Sequence, residues 1–314
     1  MTRSYKHLFG PVPSRRFGRS LGIDLTPFKT CSYDCIFCQL GHTTRHTLER
    51  KNYVDVAETL AEIEHWLEND GKADQITLAG SGEPTLHAGF GEILWFIKAR
   101  TKIPVAVLTN GSMLYLPEVR KAAAMADIVK ISLSAWDQQS LETINRPAPG
   151  YRFEQLIDGE KQFRNEFKGQ LWIEVFMLDG INTTPAEVAK IATLVKQIRP
   201  DRVQLNTCVR PPAEESARAV PENKLRELAT IFEPAAEIIA EYRAAKGGEV
   251  KVNEQAILEM LQRRPCTASQ ISEVFGMHLN EVSKYLGMLT RSEQITATHR
   301  NNDVYYFAQK SQAC

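Results

Sequence analysis

The run Thr30-Cys31-Ser32-Tyr33-Asp34-Cys35-Ile36-Phe37-Cys38-Gln39 packs three cysteines into eight residues, so one small loop offers three thiolates. A structural zinc or an electron-carrying cluster takes four protein ligands. Three thiols therefore point to a metal centre with one corner left for another ligand. Zinc completed by His42 or His46 is the plainer alternative, since the gap from Cys38 to His42 is finger-like in length.

Outward from this loop, short β-rich runs alternate with amphipathic helical stretches from residue 20 to 232. Strands are predicted at Ser20 to Thr26, Gln75 to Ala79, Pro104 to Leu108, Ile128 to Leu133, Leu171 to Met177 and Arg202 to Leu205. Helix starts are marked by Asp55, by Pro117, by Thr184-Pro185-Ala186-Glu187 and by Pro221-Glu222. Near-continuous apolar strands, each followed by a helical pattern, predict an α/β fold with a parallel sheet buried on both faces. That leaves a doubly wound sheet or a barrel. The polar segments Gly80-Ser81-Gly82-Glu83-Pro84, Thr109-Asn110-Gly111, Ser132-Leu133-Ser134 and Asn206-Thr207 all follow or close strands, as does the cysteine loop. Gathered at the carboxyl ends of strands, they favour a barrel with one functional rim.

With Phe37 just before the third cysteine, the Cys-x-x-x-Cys-x-x-Cys spacing resembles the signature of the radical S-adenosylmethionine (radical SAM) enzymes. The resemblance implies a [4Fe-4S] cluster on Cys31, Cys35 and Cys38, its fourth iron chelated by the SAM amino and carboxylate groups. One electron then splits a carbon–sulfur bond, and a 5'-deoxyadenosyl radical abstracts hydrogen from the substrate. It also implies a partial (β/α)6 TIM-type barrel over roughly residues 5 to 232 and a flavodoxin- or ferredoxin-like electron donor.

Ser81-Gly82-Glu83-Pro84 resembles the family's Gly-Gly-Glu motif, with serine for the first glycine, whose backbone and acid receive the SAM ammonium. By the same resemblance Asn110, Ser132 and Ser134 are candidates for the SAM ribose and carboxylate. Phe37 is a candidate for packing on the adenine or for shielding the cluster. Glu174, an acid inside the apolar run Trp172-Ile173-Glu174-Val175-Phe176, either reaches SAM or substrate or forms a salt bridge within the barrel.

Residues 1 to 50 hold eight Lys/Arg against three Asp/Glu, in a chain whose formal net charge is zero. Arg15, Arg16 and Arg19 of the Gly/Pro-rich segment Phe9 to Ser20, expected as an ordered loop, either attract an anionic substrate or pair with barrel carboxylates. The stretch Asp201 to Glu215 resembles a group of radical SAM proteins related to the tRNA wyosine-forming enzymes, which with the basic amino-terminal segment makes tRNA or another nucleic acid the leading substrate, and rim position makes Asn206 and Arg210 substrate-contact candidates. A peptide or small metabolite stays open. Those enzymes carry a second cysteine set, whereas Cys208, Cys266 and Cys314 are too dispersed to form one.

After Gly247-Gly248 the chain changes character. A helix from Asn253, a second opened by Thr267, a turn at Gly276, a third helix from Asn280 and β-runs at Gln294 to Thr298 and Val304 to Phe307 resemble a winged helix-turn-helix. The expected division is thus 1–232 barrel, 233–252 connection and 253–314 winged helix. Lys284, Tyr285, Arg291, His299 and Arg300 are its nucleic-acid contact candidates. From Glu249 onward, however, seven Lys/Arg balance seven Asp/Glu, so docking or dimerisation stands slightly ahead of nucleic-acid binding. No apolar run spans a bilayer and Met1 to Lys6 leads into no signal core, so a cytoplasmic enzyme without a membrane partner is expected. The competing class is a metal- or redox-sensing DNA-binding regulator, which would need no SAM pocket.

Overall fold

Strands covered on both faces read as near-continuous apolar runs, and the six expected ones form one parallel ladder. The computed structural model describes residues 5–14, 17–239, 254–300 and 303–309. In chain order, β1 (Leu8–Ser14), β2 (Gly18–Ile23), β3 (Thr30–Cys31) and β4 (Arg45–His46) precede α1 (Val56–Asn69). Then come β5 (Gln75–Leu78), α2 (Phe90–Arg100), β6 (Val105–Thr109), α3 (Pro117–Ala123), β7 (Ile128–Ser132), α4 (Gln138–Ile144) and α5 (Phe153–Glu166). They are followed by β8 (Gln170–Met177), α6 (Pro185–Ile198), β9 (Arg202–Thr207), α7 (Glu222–Ala229) and β10 (Glu237–Ile238).

The main sheet runs β1-β2-β5-β6-β7-β8-β9-β10, parallel except for the antiparallel pair β1 and β2, and its two ends do not pair. This is a mixed α/β fold of the partial TIM-barrel kind. Expected caps hold the helices: Asp55 accepts from Glu58 N at the start of α1, and Thr184 and Glu187 form a capping box on α6 with Pro185 inside it. Inside the barrel Phe17 stacks on Trp172 with ring centroids 5.4 Å apart, and Ala106 completes that small core.

Two expectations change. Leu8 to Ser14 is a strand rather than a loop, its register to β2 shifting between Phe9 and Val12, so its prolines sit on an edge where a missing N–H is tolerated. The sheet also continues past residue 232, because Glu237 and Ile238 pair with Gln204 and Leu205. Arg15, Arg16, Gly247, Gly248, Asn253, Asn301, Asn302 and Cys314 lie outside the described residues.

A second core holds α8 (Glu254–Arg263), β11 (Cys266–Thr267), α9 (Ala268–Phe275), α10 (Leu279–Arg291) and the hairpin β12 (Ile295–Arg300) and β13 (Asp303–Ala308). Thr267 and Gln270 cap α9, and Gly276 ends it at φ +65°, a left-handed position suited to glycine. The small sheet runs β11-β13-β12 and is antiparallel. This unit rests on the barrel: α9 lies against β1, and Tyr305 Oη donates to Val209 O at 3.3 Å.

Candidate active site

The cysteine loop leaves β2 and is fastened from several sides. Lys29 N donates to Ser81 O at 2.8 Å, Glu83 N to Thr30 O at 3.2 Å, Asp34 N to Arg146 O at 3.0 Å and Ile36 N to Ile144 O at 3.1 Å. Each thiol has its own N–H donor. Asn110 Nδ2 lies 3.6 Å from Cys31 Sγ, Asn145 Nδ2 3.3 Å from Cys35 Sγ and Lys29 Nζ 3.1 Å from Cys38 Sγ.

Burial, with Glu83 nearby, pushes the Cys31 thiol up to about 12; burial and the other two thiols push Cys35 higher still. Thiolates here therefore need a cation. Among the described residues no three His, Cys, Asp or Glu side chains close on one point as the shell of a single ion. Three neighbouring thiols with separate donors suit a polynuclear iron–sulfur group held corner by corner, whose sulfurs are tuned by such hydrogen bonds. Each of the two histidines named for zinc has a protein partner on one ring nitrogen. His42 Nδ1 pairs with Asp34 Oδ2 at 3.1 Å, and His46 Nε2 with Ser32 O at 3.1 Å.

The turn after β5 is held by hydrogen bonds within the protein. Glu83 is only 2% exposed, and its carboxylate accepts from Thr85 N (3.1 Å), Thr85 Oγ1 (2.5 Å), Thr109 Oγ1 (2.7 Å) and Asn110 N (2.7 Å). Those four donors match a carboxylate's acceptor capacity, so Glu83 ties the turn after β5 to the turn after β6. Burial holds its pKa above the usual range. Gly82 is required by protein packing: a Cβ there would lie 1.8 Å from Thr30 O in the cysteine loop. Ser81 N and Oγ both donate to Asp24, at 3.0 and 2.6 Å to Oδ2, a carboxylate that pattern reading did not single out. Pro84 is buried at the start of the short 3-10 turn that follows.

Beside the loop opens a cavity of about 430 Å³. Phe37 and Cys38 line one part and stack the loop against β8, Phe37 lying on Phe176 with centroids 4.2 Å apart and planes at 10°. Gly80, Lys130, Glu174, Asn206 and Arg210 contribute its polar groups. Glu174 and Lys130 form a buried ion pair, 10% and 7% exposed, and Asn206 Nδ2 donates to Glu174 Oε1 at 3.4 Å. The salt-bridge reading of Glu174 therefore holds while the pair still faces the cavity.

Other candidates stand back from it. Asn110 Nδ2 also donates to Ser32 Oγ at 2.9 Å, and its Oδ1 accepts from Ser112 N. Ser134 Oγ accepts from Phe176 N at 2.9 Å and so positions a cavity wall. Ser132 ends β7 opposite Glu174 in the ladder. On the C-terminal unit, Lys284 and Arg291 are exposed on α10, Tyr285 packs on the local core, and His299 and Arg300 line a second cavity.

The model of the Radical SAM superfamily matches residues 25–195. The chain is 32% identical to a UPF0026 protein of Helicobacter pylori, covering 96% of this chain and 97% of that protein. It is 39% identical, over 92% of its length, to a Brachyspira hyodysenteriae protein named GTPase Obg, of which it spans 43%. Streptococcus suis SuiB, solved bound to S-adenosylmethionine, shares the fold over 69% of this chain and 49% of that one, at a TM-score of 0.52 and 14% identity. Matched over more than half its length and carrying the thiol triad the family model spans, the chain belongs to the radical SAM superfamily.

Proposed function

We propose that Cys31, Cys35 and Cys38 hold a [4Fe-4S] cluster at the barrel rim, that SAM binds in the adjoining 430 Å³ cavity, and that the substrate is an RNA, tRNA first. The superfamily's enzymes use this cluster and SAM and need a reductant. When bound, the pair supplies reductive carbon–sulfur cleavage and hydrogen abstraction. What carries the reading is three neighbouring thiols, each with a separate N–H donor, beside a cavity of ligand size.

The chain's own groups divide the work. Lys29, Asn110 and Asn145 orient the thiolates and lower the cost of their charge. The Phe37 and Phe176 stack keeps water from that wall and offers a face to an adenine. Since Glu83 is saturated by protein donors, its role is to hold the Ser81-Gly82 backbone in place. The Lys130 and Glu174 pair, with Asn206, is the polar anchor facing a ligand's ammonium, carboxylate or ribose, with Ser132 at the rim beside it. Asn206 and Arg210 meet the substrate. Support for RNA comes from the likeness of Asp201 to Glu215 to the wyosine-related group and from the arginines around the mouth. A flavodoxin- or ferredoxin-like protein supplies the electron, in the cytoplasm, where free thiols such as the five described here persist. The C-terminal unit is read as a winged helix that helps seat the substrate.

Anaerobically reconstituted, reduced protein is expected to convert SAM to 5'-deoxyadenosine, and cells lacking the gene to lose a modified nucleoside from tRNA. Absence of 5'-deoxyadenosine sinks the enzymatic reading. Unchanged RNA with an altered peptide or metabolite replaces the substrate.

A further inference from the structure

Two cavities meet at Arg210. The first, of about 430 Å³, adjoins the cysteine loop, and the second, of about 680 Å³, lies between the loop after β9 and the C-terminal hairpin. Cys208, Val209 and Arg210 line both, so the two form one elongated depression. Arg264, just after α8, faces the first; Arg218, His299, Arg300 and Tyr305 face the second.

Several arginines elsewhere pair with carboxylates: Arg120 with Glu166, Arg146 with Glu214, Arg164 with Asp201. Among the described residues Arg210, Arg218, Arg264 and Arg300 enter no such pair. Arg210 Nη1 donates to Gln39 Oε1 at 3.1 Å, but its buried Nε has no partner. Burial first, and the neighbouring Arg264 second, hold its pKa down at about 10. Glu174 in the first wall is paired with Lys130, which leaves Glu215 in the second wall and Asp303 beside Tyr305, too few carboxylates for four guanidinium groups. Like charges brought together in a partly buried seam repel until an anion bridges them. Guanidinium forks suit phosphate oxygens, and a long seam suits a strand better than a single ion.

Resting on the RNA reading above, we propose that this seam binds a sugar-phosphate backbone, Arg218 and Arg300 holding phosphates outside while Arg210 and Arg264 hold that of the nucleotide entering the first cavity. Two of the four arginines come from each unit. The site is complete only while the C-terminal unit rests on the barrel, which is what that unit is for.

The test is fluorescence anisotropy of a short fluorescein-labelled single-stranded RNA on the full-length chain across a salt series. Arg218→Ala/Arg300→Ala is expected to flatten the slope of log affinity against log salt by about 1.4, roughly 0.7 for each lost contact to a single strand. Lys121→Ala/Lys168→Ala, an equal charge loss at exposed positions outside both cavities, should leave it unchanged. An unchanged slope in the first variant overturns the proposal, as does tighter binding of a polyglutamate of matched charge, which would reassign the seam to an acidic protein. Photocrosslinking of thiouridine RNA to the wild-type chain needs no variant. Adducts at residues 208–218 and 298–305 support the seam, and adducts confined to α10 refute it. SAM cleavage by wild-type protein without RNA tests the underlying enzyme reading separately, so the two can fail independently.

Discussion

Glu83 accepts four hydrogen bonds from the protein around it, whereas Arg210, in the loop after β9, donates to Gln39 and leaves its Nε bare. The contrast extends to their surroundings. Around the cysteine loop, Asp24, Asn110, Ser134 and the thiols themselves are all engaged within the chain. Around Arg210, three further arginines face cavities without a carboxylate of their own. Groups that shape a site are satisfied internally, because an unpaired buried polar atom costs stability; groups meant for a ligand are left wanting one. Glu83, conspicuous as a motif, is thus satisfied within the chain, whereas the less conspicuous arginines of the proposed seam lack carboxylate partners among the described residues.

The largest effect should come from the thiols. Alanine at Cys31, Cys35 or Cys38 is expected to take 5'-deoxyadenosine formation below detection, measured by chromatography of the reduced, anaerobic reaction. Next, Lys130→Met leaves Glu174 buried and uncompensated and should cost about 3 kcal/mol in urea unfolding, much of it recovered in Lys130→Met/Glu174→Leu. Glu83→Ala strands two buried hydroxyls and two backbone N–H groups, a loss of about 2 kcal/mol or more by the same measurement. If it proves neutral, the scaffolding side of the contrast fails. By comparison Arg218→Ala/Arg300→Ala should stay within about 0.5 kcal/mol of wild type in stability, since no internal partner is lost.

A smaller test concerns Glu160, which is fully buried with neither oxygen partnered, close to Tyr33 and Tyr151. Burial holds its pKa well above the ordinary 4.5, so its carboxyl stays neutral in the fold. A raised folded pKa gives stability that is full below 4.5 and lost as pH climbs toward the folded value. Glu160→Gln removes that loss. Its urea midpoint should exceed wild type by a margin that grows from pH 4.5 upward; a margin that shrinks with pH would contradict the assignment.

Much of this architecture was legible beforehand where the signal is local. The thiol spacing, the six apolar strands, the Asp55 and Thr184 caps and the order of the C-terminal helices and hairpin all rest on residues near one another in the chain. What escaped was set by distant partners. Asn145 serves a thiol 110 positions away, and Asp24 holds a serine 57 positions on. Neither spacing carries a pattern. Gly10, Pro11 and Pro13 broke the strand signal of β1, which survives because an edge strand can forgo N–H donors. The motif at Glu83 shows which residue is present but not the four protein donors that surround it. Arg264 was missed for a related reason: its importance comes from the packing of two units.

The most direct measurement is the metal and sulfide content of anaerobically purified protein, joined to the electron paramagnetic resonance spectrum of its reduced form with and without SAM. About four iron and four sulfide per chain are expected, as a [4Fe-4S] cluster requires, lost in Cys35→Ala, with a spectrum altered by SAM. One zinc per chain without sulfide, or a spectrum indifferent to SAM, would contradict it.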